Sequence, residues 1–187
     1  MRRVVVTEYV TLDGVFDEPG EWSFPFWNEE AFTFKYDELF SSDVQLLGRR
    51  TYEGFANAWP TMSDEAGFAD RMNTMPKYVV STTLQDPSWT NTTVIPGNVP
   101  DAVTKLKEEP GQNILVAGSA QLVRTLAEHN LVDEYRFMVH PIVLGSGNRI
   151  FHEKMVLELV DTKRFSSGIV VLVYQPGQQE GQEAQAQ

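Results

Sequence analysis

The sequence predicts an α/β protein of three layers (α/β/α), with a mostly parallel central sheet and antiparallel strands at its C-terminal edge. Segments with the composition of buried strands alternate with helical segments along most of the chain. This alternation is typical of parallel sheets, because the crossover between two parallel strands is usually a helix. The last two predicted strands have no clear helix between them, which indicates antiparallel pairing at one edge.

The N-terminal third predicts a strand, an aromatic loop and a capped helix. The segment Arg3–Leu12 is rich in β-branched residues and predicts a strand that ends at the turn Asp13-Gly14. Prolines, a glycine and several aromatic residues in Asp17–Trp27 predict an ordered loop. Asn28 can cap a helix over Glu29–Phe40, whose acidic first turn suits the helix dipole.

The remaining elements continue the alternation up to the C-terminal strands. Strands are predicted at Val44–Leu47, Lys77–Ser81, Trp89–Ile95, Ile114–Ala117, Glu134–Pro141 and Lys163–Tyr174. Helices are predicted from Thr51, over Glu65–Asn73, over Val99–Glu108 and over Ala120–His129. One domain therefore spans residues 1–176. Residues 177–187 offer almost nothing to bury and predict a flexible tail.

Composition excludes several classes of function. The chain has 187 residues, a formal net charge of −11 and no cysteine. The acidic balance works against nucleic acid or an anionic membrane as a general partner. The lack of cysteine excludes disulfides and zinc–thiolate sites, and no histidine pair has metal-ligand spacing, so we expect no metal site. No apolar stretch approaches the roughly 20 residues that span a bilayer, and we expect a cytoplasmic protein.

The first candidate binding segment follows the strand that ends at Gly48. Arg49 and Arg50 supply guanidinium groups suited to phosphate, and Thr51 offers a hydroxyl at the start of a helix, where backbone N–H groups favour anions. A simple strand-to-helix turn with two solvated arginines explains the segment equally well.

Two further strand ends carry the same kind of signal. Ser81 and Thr82 place hydroxyl groups after a buried strand, although turn capping is the commoner use of such residues. Gly118, Ser119 and Ala120 open the next helix with small residues that let a ligand approach the backbone. Tight packing between strand and helix would also account for them.

These segments together resemble the dihydrofolate-reductase superfamily. The motifs are Gly-Arg-Arg-Thr-Tyr-Glu from Gly48, Leu-Val-Asp-Glu from Leu131, Pro-Ile-Val-Leu-Gly-Ser-Gly from Pro141, and Leu12-Asp13-Gly14 after the first strand. The pattern is most similar to the reductase domain of the bifunctional deaminase-reductase of riboflavin biosynthesis and to its stand-alone relatives. The resemblance covers roughly Arg3–Tyr174.

The resemblance implies an NADPH-dependent reductase with a dihydrofolate-reductase-like fold, which transfers hydride to a small heterocyclic or ribosyl substrate. Gly48 to Thr51 would meet the cofactor phosphates, with Arg49 or Arg50 at the 2′-phosphate. Ser81 or Thr82 would lie near the adenine ribose. By the same resemblance, Gly118, Ser119, Ala120 and Leu122 would lie under the pyrophosphate. A homodimer is also implied, because such relatives commonly pair through edge strands.

The sequence does not identify the proton donor. Dihydrofolate reductases use an acidic residue of the first helix, but the matching position here is Phe32. Asp13 and Glu8 are the candidate catalytic residues. Asp13 lies at the end of the first strand, and Glu8 points to one face of the same strand, where a carboxylate is costly unless it is paired or lines a site. Asp13 could instead shape its turn, and Glu8 could be a paired structural carboxylate. A dihydrofolate or pteridine reductase and a non-catalytic NADPH-binding module are the alternatives.

Overall fold

The computed structural model of the chain describes residues 1–177 and contains one eight-stranded sheet covered by helices. The strands are β1 (Val4–Thr11), β2 (Ser42–Gly48), β3 (Lys77–Val80), β4 (Thr92–Ile95), β5 (Asn113–Ala117), β6 (Glu134–His140), β7 (Leu157–Arg164) and β8 (Val170–Pro176). The helices are α1 (Pro19–Trp22), α2 (Glu29–Phe40), α3 (Arg49–Ala58), α4 (Phe68–Thr74), α5 (Val99–Glu108) and α6 (Ala120–Glu128).

The sheet order confirms the predicted α/β class. The order is β4-β3-β2-β5-β1-β6-β8-β7, in which β1 to β6 pair in parallel and β8 pairs antiparallel with both β6 and β7. Alternate residues of β1 face opposite layers: Val4 and Val6 pack in the cluster that holds α5 and α6, and Val5 packs in the cluster under α3 and α4. Parallel strands buried on both faces require this two-sided cover.

Three local predictions were wrong. The predicted strand Lys163–Tyr174 is two strands, because the chain turns after Phe165, with Gly168 at a φ of 92°. Of β7, only its last two residues, Lys163 and Arg164, fall within that prediction. The helix after Gly48 begins at Arg49 rather than Thr51, so both arginines stand in its first turn. The loop Asp17–Trp27 contains the short helix α1 and a 3₁₀ turn.

The edge strand β7 carries exposed apolar side chains, with Leu159 50% and Val160 45% exposed. The homodimer implied by resemblance stays a prediction. The predicted tail lies, apart from Gly177, outside the described residues. Within residues 1–177 no helix is both long and apolar enough to cross a membrane.

Lys77 is a buried cation at the amino end of β3. Its ammonium group donates to the carbonyl oxygens of Asn73 at 2.8 Å and Met75 at 2.7 Å, and lies 4.2 Å from the centre of the Trp89 indole. Within the described part of the chain it has no carboxylate partner. Burial lowers the pKa of Lys77 to about 8.

We expect the free energy of unfolding to rise with pH between about 8 and 10.5 more steeply in the wild type than in Lys77→Met. In that window the unfolded lysine still binds a proton that the folded lysine has lost, so folding is favoured as pH rises. Urea unfolding across this window measures the difference, with Lys105→Met as the exposed control. Parallel curves for the wild type and Lys77→Met would contradict the assignment.

Candidate functional site

The carboxyl ends of β2, β3 and β5 line one cleft of about 1790 Å³. This volume exceeds the roughly 300–1,000 Å³ of a site for one drug-sized ligand, so a dinucleotide and a second molecule have room. The cleft is lined by the ten residues that the sequence proposed for a cofactor: Gly48, Arg49, Arg50, Thr51, Ser81, Thr82, Gly118, Ser119, Ala120 and Leu122. The Leu122 side chain is mostly turned into the core.

The turns after β2 and β5 are in direct contact. A Cβ atom at Gly48 would lie 1.9 Å from Ser119 Oγ, and one at Gly118 would lie 2.8 Å from Thr51 Oγ1. Gly118 and Ser119 both have positive φ angles, of 63° and 66°. The absence of side chains at the two glycines therefore lets the starts of α3 and α6 approach each other closely.

Both helix starts are rich in unused hydrogen-bond donors. Neither α3 nor α6 has a side-chain cap, so the first-turn N–H groups of both helices lack side-chain partners. Two helix N-termini facing one space, with the dipoles of both, form a strong anion site. Arg49 and Arg50 line the same space, exposed on α3, and Arg49 pairs loosely with Glu53 at 3.3 Å.

The two hydroxyl residues after β3, Ser81 and Thr82, have different surroundings. Ser81 Oγ accepts from the N–H groups of Thr83 at 3.1 Å and Leu84 at 2.9 Å, so it shapes the turn. The Thr82 side chain is exposed and lines the cleft. Of the two, Thr82 is the one available to a ligand.

The sheet splits beside Glu8. Pairing of β1 with β5 ends at Thr7 and Ala117, but pairing of β1 with β6 continues to Thr11. Beyond Thr7 one side of β1 is therefore open, and Thr7, Glu8 and Tyr9 all line the cleft.

Glu8 is a buried carboxylic acid at this split. Its side chain is 5% exposed, and among the described residues Oε1 has no hydrogen-bond partner. Burial raises the pKa of Glu8 to about 8, against the lowering effects of Lys35 and the Gly118 amide. At neutral pH the group is mostly protonated and can act as an acid.

Two further charged residues of the cleft come from α2 and were missed by sequence reasoning. Lys35 donates to Thr7 Oγ1 at 2.9 Å and to the Glu38 carboxylate, and Glu38 is buried. The spacing of Ala31, Phe34 and Glu38 at i, i+3 and i+7 places them on the inward face of the helix. The sequence signal that could have identified the pair is the charged residue Glu38 at an inward-facing position of this helix.

Asp13 does not line the cleft. Its carboxylate accepts from Thr11 Oγ1 at 2.6 Å, from Gly145 N at 2.8 Å and from Leu144 N at 3.3 Å. These hydrogen bonds, led by that from Thr11, hold the pKa of Asp13 below its ordinary value. Asp13 thus fastens the loop after β6 to the end of β1, and the geometry favours its structural role over proton donation.

Aromatic side chains form part of the wall of the cleft. Trp27, Phe32, Phe55, Trp59 and Phe68 line it, and the rings of Trp59 and Phe68 lie 5.5 Å apart. Phe32, the position that counting along the chain matched to an acid, is one of these wall residues. Flat apolar walls of this kind suit a planar ring.

Comparison with known proteins points to one family. The model of the RibD C-terminal domain matches residues 2–171. The uncharacterised protein YyaP of Bacillus subtilis (strain 168) is 34% identical over 181 residues, which cover 92% of this chain and 94% of YyaP.

Solved structures share the fold. A candidate riboflavin biosynthesis protein of Shewanella sp. PV-4 superposes with a TM-score of 0.76 at 17% identity, over 94% of this chain and 99% of that one. The diaminohydroxyphosphoribosylaminopyrimidine deaminase/5-amino-6-(5-phosphoribosylamino)uracil reductase of Thermotoga maritima gives 0.66 at 14% identity, over 94% of this chain and 57% of that one.

Proposed function

The chain belongs to the RibD C-terminal domain family, and from this premise we propose that it is an NADPH-dependent reductase of the riboflavin-reductase type. The observation that carries the proposal is the contact between two uncapped helix starts, flanked by Arg49 and Arg50, in the cleft that also contains Glu8. An anion site and a buried acid in one cleft are what hydride transfer from a phosphorylated dinucleotide requires.

The residues of the cleft fit NADPH. Gly48, Thr51 and Gly118 to Ala120 would hold the pyrophosphate with backbone N–H groups, and Arg49 or Arg50 would bind the 2′-phosphate. Thr82 would lie near the adenine ribose, and Ser81 would shape the turn that holds it there. The nicotinamide would lie in the opening between β1 and β5, beside Glu8.

When bound, NADPH supplies the hydride, and the protein orients the two rings and excludes water. The aromatic wall would hold the substrate ring flat, and protonated Glu8 would donate the proton that accompanies hydride transfer. Asp13, turned to the loop after β6, is not needed for this step.

The experiment is a titration with NADPH followed by a test of turnover. Purified protein should quench or shift NADPH fluorescence at one site per chain, and NADPH absorbance should then fall only when substrate is added. The substrates to compare are 5-amino-6-(5-phosphoribosylamino)uracil and dihydrofolate. Consumption with dihydrofolate alone would favour a dihydrofolate reductase. Binding without consumption would favour a binding module, and no binding would refute the proposal.

Removal of the Arg50 guanidinium group should distinguish the two nicotinamide cofactors. Within residues 1–177 Arg50 has no ion pair, so its side chain is available to the 2′-phosphate. A charge-assisted hydrogen bond contributes about 1.5–3 kcal/mol, so Arg50→Ala should weaken NADPH binding about tenfold or more. NADH affinity should stay within about twofold, and fluorescence titration measures both.

The matched control is Arg164→Ala on β7, outside the cleft. If Arg50→Ala leaves NADPH affinity unchanged, the same titration of Arg49→Ala decides whether the neighbouring arginine binds the 2′-phosphate. Unchanged affinity in both variants would contradict the placement.

A further inference from the structure

We propose that Lys35 is a catalytic residue. Its ammonium group binds the substrate heteroatom that is doubly bonded to the carbon that receives the hydride. The inference rests on the proposed function and adds to it the group that stabilises the negative charge developing on that heteroatom. The substrate then carries a carbonyl oxygen or an imine nitrogen next to the reduced carbon.

Lys35 has a donor to spare inside the cleft. Its side chain is 12% exposed, lines the cleft and lies 5.4 Å from the centre of the Tyr9 ring. An ammonium group has three protons, and Thr7 Oγ1 and the Glu38 carboxylate accept two of them. The third can be donated to a ligand that enters beside Thr7 and Glu8.

A chain of alternating charges holds this ammonium group in position. Glu38 lies between Lys35 and Arg136, whose Nη1 is 3.5 Å from Glu38 Oε1. Arg136 Nε donates to Glu134 Oε1 at 2.6 Å, and Arg3 pairs with Glu134 Oε2 at 2.9 Å. Buried ion pairs add little net stability over apolar residues of the same shape. Stability alone therefore gives no reason to keep a lysine at the opening between β1 and β5.

The position of Lys35 suits charge stabilisation during reduction. As hydride adds to the carbon of a C=O or C=N group, the π electrons move to the heteroatom, which becomes negative. Lys35 stabilises that charge and keeps its own protons, and Glu8 gives one proton to the heteroatom. Glu8 is then reprotonated from solvent, so each turnover consumes one hydride and one proton.

The first test is binding of 5,6-diaminouracil, a flat uncharged ring with carbonyl acceptors, to protein saturated with NADP⁺. Lys35→Met should weaken binding at least tenfold, Lys35→Arg should retain part of it, and NADP⁺ affinity should stay within about twofold. Lys105→Met, on the exposed face of α5, is the control. Unchanged binding in Lys35→Met, or no binding by the wild type, would overturn the proposal.

The second test follows the Glu8 carboxyl by ¹³C NMR and needs no ligand. Lys35 and Glu38, both on α2, are the charged groups that act on Glu8. Lys35→Met should raise the pKa of Glu8, whereas removal of a lysine without electrostatic contact would leave that pKa unchanged. Glu38→Gln should lower the pKa of Glu8. Coincident titrations in the three proteins would overturn the proposal.

The two tests separate this inference from the proposed function. Protein that binds NADPH and turns over a substrate, yet binds diaminouracil equally well with and without Lys35, keeps the function and loses this role. Protein that fails to bind NADPH loses the function, and the ¹³C NMR test of Lys35, which needs no ligand, can still be run on it. Thermal unfolding of each variant checks that it is folded.

Discussion

Substitution of Gly48 by alanine is expected to weaken NADPH binding by at least tenfold, or about 1.4 kcal/mol. The new methyl group would lie 1.9 Å from Ser119 Oγ and 2.5 Å from Ser119 Cβ. Rotation of the serine hydroxyl cannot relieve the second contact, so the start of α6 must move away from the start of α3. The two sets of N–H groups would then no longer converge on one pyrophosphate.

A second-site change provides the control for this prediction. With Ser119→Gly added, the next atom is Ser119 Cα at 3.9 Å, an ordinary contact, and the double variant should recover much of the lost affinity. Ser119 already has a φ of 66°, which glycine adopts readily. Gly97→Ala, with open space around it, should bind like the wild type. Wild-type affinity in Gly48→Ala would show that the two turns do not share a ligand.

Glu8→Gln is expected to remove a large pH dependence of stability. The folded state holds the Glu8 proton up to about pH 8, whereas the unfolded state releases it near pH 4.5. Between these values the folded state binds more protons, so this group favours folding at low pH, and that contribution is lost as pH rises through 8. The shift corresponds to at most about 4–5 kcal/mol.

Urea unfolding between pH 4.5 and 9 measures the effect. Wild type and Glu8→Gln should have similar free energies of unfolding at pH 4.5, and the variant should be the more stable at pH 9. Glu128→Gln, on the exposed end of α6, should follow the wild type. A wild type and a Glu8→Gln variant with the same dependence on pH would show that Glu8 is ionised in the folded protein.

The parts of the site that the sequence predicted are those made by local chain geometry. At each of the turns at Gly48 and Gly118, a strand ends at or just before the glycine and a helix begins one or two residues after it, so a short window of sequence contains the whole signal. The strands are then parallel, because each helical crossover returns the chain to the end of the sheet at which the previous strand began.

The parts that the sequence did not predict depend on contacts between distant segments. Glu38 meets Arg136, and Asp13 binds the amide of Gly145, and no periodic pattern reports such pairs. Most of β7 was missed because an exposed edge strand lacks the alternation of buried and polar residues that marks a strand. Counting along the chain placed Phe32 at the expected acid, whereas the buried acids of the cleft are Glu8 and Glu38.

A crystal structure of the protein with NADPH tests the central claim most directly. We expect the pyrophosphate against the backbone N–H groups at the starts of α3 and α6, the 2′-phosphate against Arg49 or Arg50, and the nicotinamide in the opening of the sheet beside Glu8. NADPH bound elsewhere, or a cleft that stays empty at saturating NADPH, would contradict the account.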